Sequence, residues 1–99
     1  MATLRSPILP VENQKVAIHF FVRSQGVAED GIFSFDEMSV DGKRVKSHWM
    51  AVRIPVSDEW QEVQWSGPLE ATAASVRLTF TQRGVPAGAR VWIDDLTVK

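Results

Sequence analysis

Apolar and polar residues alternate along most of this chain with a period of two, the mark of β-strands that bury one face. Residues 15 to 23 (KVAIHFFVR) put Val16, Ile18, Phe20 and Val22 on one face and Ala17, His19, Phe21 and Arg23 on the other. Residues 76 to 81 repeat the pattern, with Val76, Leu78 and Phe80 inward and Arg77, Thr79 and Thr81 outward. Further strands are predicted from about Ile32 to Val40, Val45 to Ile54 and Trp60 to Leu69. Asp41-Gly42 between the first two of these is a hairpin signal, and Gly67-Pro68 closes the third. An opening strand from Thr3 to Leu9 is predicted at a sheet edge, because Pro7 and the following Pro10 cannot donate to a central ladder. Only Leu69 to Ser75 suits a short helical turn. With a final strand after Gly88, about seven short strands and no amphipathic helix predict an all-β chain folded as an antiparallel sandwich.

The alternation slips once. Val91 and Ile93 share a face, but Leu96 and Val98 fall in the opposite phase. One extra residue at Asp94-Asp95 restores both pairs to the same face, which is what a β-bulge does. The last strand is therefore predicted to carry a bulge that re-aims two carboxylates.

Composition narrows the class without naming a function. The 99 residues are 44% hydrophobic and 23% charged, enough for one domain with a single core. The net charge of −1 and the lack of like-charge runs argue against nucleic acid or an anionic membrane as the partner. Nothing approaches the roughly 18 apolar residues of a membrane span. The expectation is either a cytoplasmic chain or a secreted module cut from a longer precursor. The absence of cysteine removes disulfides, thiolate metal sites and cysteine nucleophiles together. His19 and His48 are the only histidines, and no nucleophile elbow, zinc helix or phosphate loop accompanies them. The acidic pairs, such as Asp36-Glu37 and Asp58-Glu59, fall at turns and the bulge, where solvation or metal binding suits them better than glycosidase chemistry.

Four segments, taken in order, resemble the jelly-roll carbohydrate-binding modules grouped around families 4, 9, 16 and 22. They are the proline-containing lead-in and strand from Pro7 to Arg23, Asp58-Glu-Trp-Gln-Glu-Val63, Ser75-Val-Arg-Leu-Thr-Phe80, and Val91-Trp-Ile-Asp-Asp-Leu-Thr-Val98. The resemblance implies a jelly-roll β-sandwich of seven or eight strands. It also implies a noncatalytic, secreted module that targets a covalently linked glycoside hydrolase to plant cell-wall β-glycans. β-1,4-glucan or mixed-linkage glucan ranks ahead of xyloglucan or xylan. Two departures stand out. Val16 and Ile18 replace residues that are often tyrosine in those families, and no strand precedes Thr3. A jelly roll without its first strand leaves an edge to be covered, blunted or paired with another copy of the chain. In the family the terminal aspartate commonly helps to bind a structural calcium; here Asp94 and Asp95 are half of such a site.

The aromatic set, four Trp and five Phe with no Tyr, then divides by phase. Trp65, Phe20 and Phe80 are assigned to the core and Trp60 to packing at a strand entrance. Trp49 lies on the polar face with Ser47, Ala51 and Arg53, opposite Met50, Val52 and Ile54. Trp92 and Phe21 also point outward. If the strands follow the jelly-roll order that the resemblance implies, those near 3 to 9, 31 to 40, 45 to 54 and 76 to 83 share one sheet, whose outer face gathers Trp49, Arg77, Thr79 and Thr81. Glu37 is expected with them. The candidate sugar-binding residues are therefore Trp49, Arg77, Thr79, Trp92, Phe21 and Glu37. A sugar ring lays its axial C–H bonds on an aromatic face while its hydroxyls reach polar side chains. The competing reading is a structural or interaction sandwich that binds no sugar, with a small hydrolase behind it.

Overall fold

The computed structural model describes residues 2–99 as eight strands in two antiparallel sheets. The strands are β1 (Ala2–Arg5), β2 (Leu9–Pro10), β3 (Lys15–Gln25), β4 (Gly31–Met38), β5 (Arg44–Ile54), β6 (Gln61–Pro68), β7 (Ser75–Gln82) and β8 (Arg90–Val98). One sheet runs β1-β7-β4-β5, with β2 also on β7, and the other runs β6-β3-β8. The four segments expected to share a sheet do so. The Pro-containing opening segment lies at its edge, split into β1 and β2. Of the segment Leu69 to Ser75, residues 69–74 form a turn rather than a helix, closed by the N–H of Ala73 donating to the carbonyl of Glu70 at 3.0 Å, and Ser75 begins β7. Gly42, at φ 82°, makes the β4–β5 hairpin in the left-handed region that glycine enters freely.

The pairing is nested. β4 pairs with β5, β3 with β6, and β1 and β2 with β7, so each pair encloses the one before it. A long antiparallel ribbon wrapped into two sheets gives this order, which is the jelly roll. β8 is outermost. It pairs inward with β3, and among the described residues no strand lies on its other side.

The core lies between the sheets and is built from the predicted inward phases. Val16, Ile18, Phe20 and Val22 of β3 meet Phe33 and Phe35 of β4 and Val76, Leu78 and Phe80 of β7. Phe20, Phe33 and Phe35 form an edge-to-face and stacked series at 5.2 and 6.2 Å, and Trp65 meets Phe35 edge-on at 4.6 Å. Burying such rings is the main stabilising term for a domain this small.

Three irregularities break the ladders; one, where Glu37 pairs with Lys46 and Met38 with Arg44, puts a single extra residue near the start of β5, and the other two lie beside the candidate residues. Phe21 pairs with Asp94 and His19 with Thr97, so two steps of β3 face three of β8. Asp95, at φ 54°, is the extra residue, and the bulge lies where the phase slip places it. In β5 the irregularity is larger: Phe33 pairs with Val52 and Phe35 with His48, so two steps of β4 face four of β5. Met50, at φ 55° and 44% exposed, leaves the inward set that alternation assigns it to, while His48, in the same phase two residues earlier, stays toward the core.

Candidate functional site

The outer face of the β1-β7-β4-β5 sheet is assembled by cross-strand register. Arg5 pairs with Thr79, Thr79 with Ser34, and the next row runs Arg77, Asp36, Ser47. Where the β5 bulge stands opposite Ser34, the N–H of Met50 donates to the Ser34 hydroxyl at 3.1 Å. That bond fixes the bulge beside Trp49, whose side chain is 64% exposed. Trp49 borders a shallow cleft of about 180 Å³ with Arg5, Ser34, Asp36, Arg44, Ser47 and Thr79. Among the described residues, Arg5, Arg44, Arg77 and Asp36 take part in no ion pair, so their hydrogen-bonding groups remain open to a ligand. One flat indole, charged donors, one carboxylate and three hydroxyls make a surface suited to a polar ring compound.

Three of the residues expected to bind, Trp49, Arg77 and Thr79, thus share this face. Glu37 does not reach it. It follows Phe33 and Phe35 in the inward phase and is 1% exposed, so a role as a surface ligand is excluded by burial. Its Oε1 accepts the N–H of Glu70 at 2.7 Å, and its Oε2 meets His48 Nε2 at 2.5 Å. His48 stacks on Phe35 with ring centres 4.1 Å apart. Asp36, the next residue back, supplies the outward carboxylate. Alternation from Phe35 is enough to identify it.

Phe21 and Trp92 stand on the opposite outer face, that of β6-β3-β8. The Arg23 guanidinium lies 4.3 Å from the centre of the Trp92 ring and 5.3 Å from that of Trp60. Arg23 Nε is buried and has no hydrogen-bond partner, so contact with the two indoles is its surroundings. Phe21 meets His19 edge-on at 5.1 Å, and His19 Nε2 lies 3.3 Å from a Glu62 oxygen. One face of Trp92 is therefore already occupied by the protein. Being on the far side of the sandwich, it and Phe21 cannot share a ligand with Trp49.

Asp94 and Asp95 border a hollow with Phe21 and Trp60. Asp94 Oδ1 accepts the N–H of Asp95 at 2.8 Å. Calcium takes six to eight oxygen ligands. Two carboxylates beside aromatic rings are a small part of that set, and no group of three or more metal-binding side chains occurs among the described residues. Asp94 and Asp95 are therefore, at most, the half-site that the resemblance implies.

Compared with known proteins, the chain matches no family model and no curated protein.

Proposed function

We propose that this domain is a noncatalytic carbohydrate-binding module whose ligand lies on the outer face of the β1-β7-β4-β5 sheet. The observation that carries the reading is Trp49: a tryptophan 64% exposed on a strand, held at a bulge beside a cleft lined by Arg, Asp, Ser and Thr. Exposing so large an apolar ring on a sheet face costs solvation unless a ligand covers it. A pyranose stacked on it would bury about 100 Å² of apolar area and contribute about 2–3 kcal/mol. Its equatorial hydroxyls would then meet the guanidinium groups of Arg5 and Arg44, the Asp36 carboxylate and the hydroxyls of Ser47 and Thr79.

One stacked ring set against the entropy of association gives affinity in the micromolar to millimolar range. Weak binding of that kind suits a module joined to a catalytic domain, where effective concentration makes up the difference. The ligand class we favour is a plant cell-wall β-glycan, with β-1,4-glucan or mixed-linkage glucan first, bound in the extracellular space by a module of a secreted glycoside hydrolase.

Electrophoresis in native gels containing β-glucan, xyloglucan or xylan tests this. Retarded migration that Trp49→Ala abolishes is the expected result. Absence of retardation on every polymer would overturn it in favour of an interaction domain, and release of reducing sugar would point to a hydrolase.

A further inference from the structure

Among the described residues the outer edge of β8 is unpaired, and beside it the sandwich is open. A groove of about 230 Å³ between β1 and β8 reaches the core, bordered by Leu4, Phe20, Phe33, Phe80, Ile93 and Leu96. Leu4 is 60% and Leu96 47% exposed there. The nested pairing of the other strands places an antiparallel neighbour at this edge, with its apolar face toward the groove. β8 has that chemistry itself, since Val91 and Ile93 face inward and are half-buried while Arg90, Trp92 and Asp94 face outward.

The segment Arg90-Val-Trp-Ile-Asp94 is also complementary to its own reverse. Laid antiparallel to a second copy about Trp92, it sets Arg90 opposite the partner's Asp94 and Asp94 opposite the partner's Arg90. Trp92 meets the partner's Trp92 on the same face, and Val91 meets the partner's Ile93 on the groove side. Neither Arg90 nor Asp94 is in an ion pair within the chain among the described residues. A slip of one residue would turn the apolar pairs outward, and a slip of two would set Arg90 opposite Trp92 and lose both charge pairs. The left-handed Asp95 ends the regular edge just beyond.

We infer that the 99-residue chain forms a two-fold symmetric dimer through β8, joining two three-stranded sheets into one of six. Such an interface is isologous, each copy giving and receiving the same contacts. The Trp49 face lies on the other sheet and stays open in both copies.

Sedimentation equilibrium of the chain at low ionic strength tests this. Twice the monomer mass is expected, with dissociation favoured by salt as the charge pairs are screened. Arg90→Asp and Asp94→Arg, each alone, set like charges opposite one another and should give monomers. An equimolar mixture of the two variants restores both opposite-sign pairs and should sediment as a dimer. Both residues are exposed, so the variants are expected to fold. A monomeric wild-type chain, or a dimer that neither single variant weakens, or a mixture that stays monomeric, would overturn the inference.

Discussion

His48 Nε2 lies 2.5 Å from Oε2 of Glu37, a carboxylate that is 1% exposed and accepts only one further hydrogen bond, from the Glu70 N–H. The pair joins β4 to β5 inside the apolar core, against Phe35 and Trp65. Removing one partner leaves a buried acceptor unsatisfied, whereas removing both leaves only a packing problem. His48→Ala is expected to lower stability by about 3 kcal/mol or more in urea denaturation. Glu37→Leu combined with His48→Leu should cost less than His48→Ala alone. Equal losses would mean that the hydrogen bond carries little of the effect.

Trp49→Ala addresses the surface rather than the core. Its side chain is 64% exposed, so the change in stability should stay within about 0.5 kcal/mol. Retardation by β-glucan, in contrast, should be lost. Trp92→Ala is expected to leave retardation unchanged, because that indole lies under Arg23 on the far sheet. Isothermal titration with cello-oligosaccharides gives the quantitative form of the same comparison.

The bulges at Asp95 and opposite Ser34 show which parts of this fold the sequence discloses. One extra residue at Asp95 reverses the alternation, so Val91 and Ile93 disagree with Leu96 and Val98 and the bulge is legible. The two extra residues in β5 restore the parity, so Trp49, Met50, Ala51 and Val52 read as an unbroken strand. Sheet membership came from the jelly-roll strand order that the resemblance implies rather than from the residues themselves, and with it the meeting of Trp49, Arg77 and Thr79. Glu37 was misassigned because its carboxylate suggested solvent while its phase, shared with Phe33 and Phe35, pointed inward. What overrides the cost of burying it is His48, and that pairing depends on a register visible only in three dimensions.

Asp95 occupies the left-handed region at φ 54°, where a β-carbon costs about 1 kcal/mol relative to glycine. Asp95→Gly is therefore expected to leave the melting temperature unchanged or raise it. Asp95→Val, with a branched side chain at the same φ, should destabilise the chain by about 1–3 kcal/mol. If both substitutions act alike, backbone strain is not what this position reports. Addition of EDTA to the wild-type chain reads the aspartate pair: a lowered melting temperature would show that Asp94 and Asp95 help to hold a cation, and an unmoved one would sink the half-site.

Arg23 separates two indoles that are otherwise half-open to water. Its guanidinium lies 4.3 Å from the Trp92 ring centre and 5.3 Å from that of Trp60, and partly desolvated contacts of this kind contribute about 1–2 kcal/mol. Arg23→Ala should expose both rings, shift tryptophan emission to longer wavelength and lower stability by a similar amount. Polysaccharide retardation should persist, since the Trp49 face is on the other sheet. Loss of retardation in a folded Arg23→Ala chain would move the binding site to the β6-β3-β8 face.

Ser34 tests whether the β5 bulge positions Trp49. The Ser34 hydroxyl is within a residue that is 7% exposed, and it accepts the Met50 N–H at 3.1 Å, next to the indole but one strand away from it. Ser34→Ala removes that acceptor and costs about 1 kcal/mol of stability. The same change frees a left-handed residue that adjoins Trp49, so the ring samples orientations that do not stack on a sugar. Affinity for β-glucan is expected to fall severalfold, less than in Trp49→Ala. Ser34→Thr keeps an acceptor at the same position and should restore most of the binding, whereas a direct sugar contact by the Ser34 hydroxyl would be weakened by the added methyl group. Gel retardation of the three variants together with wild type separates the two roles.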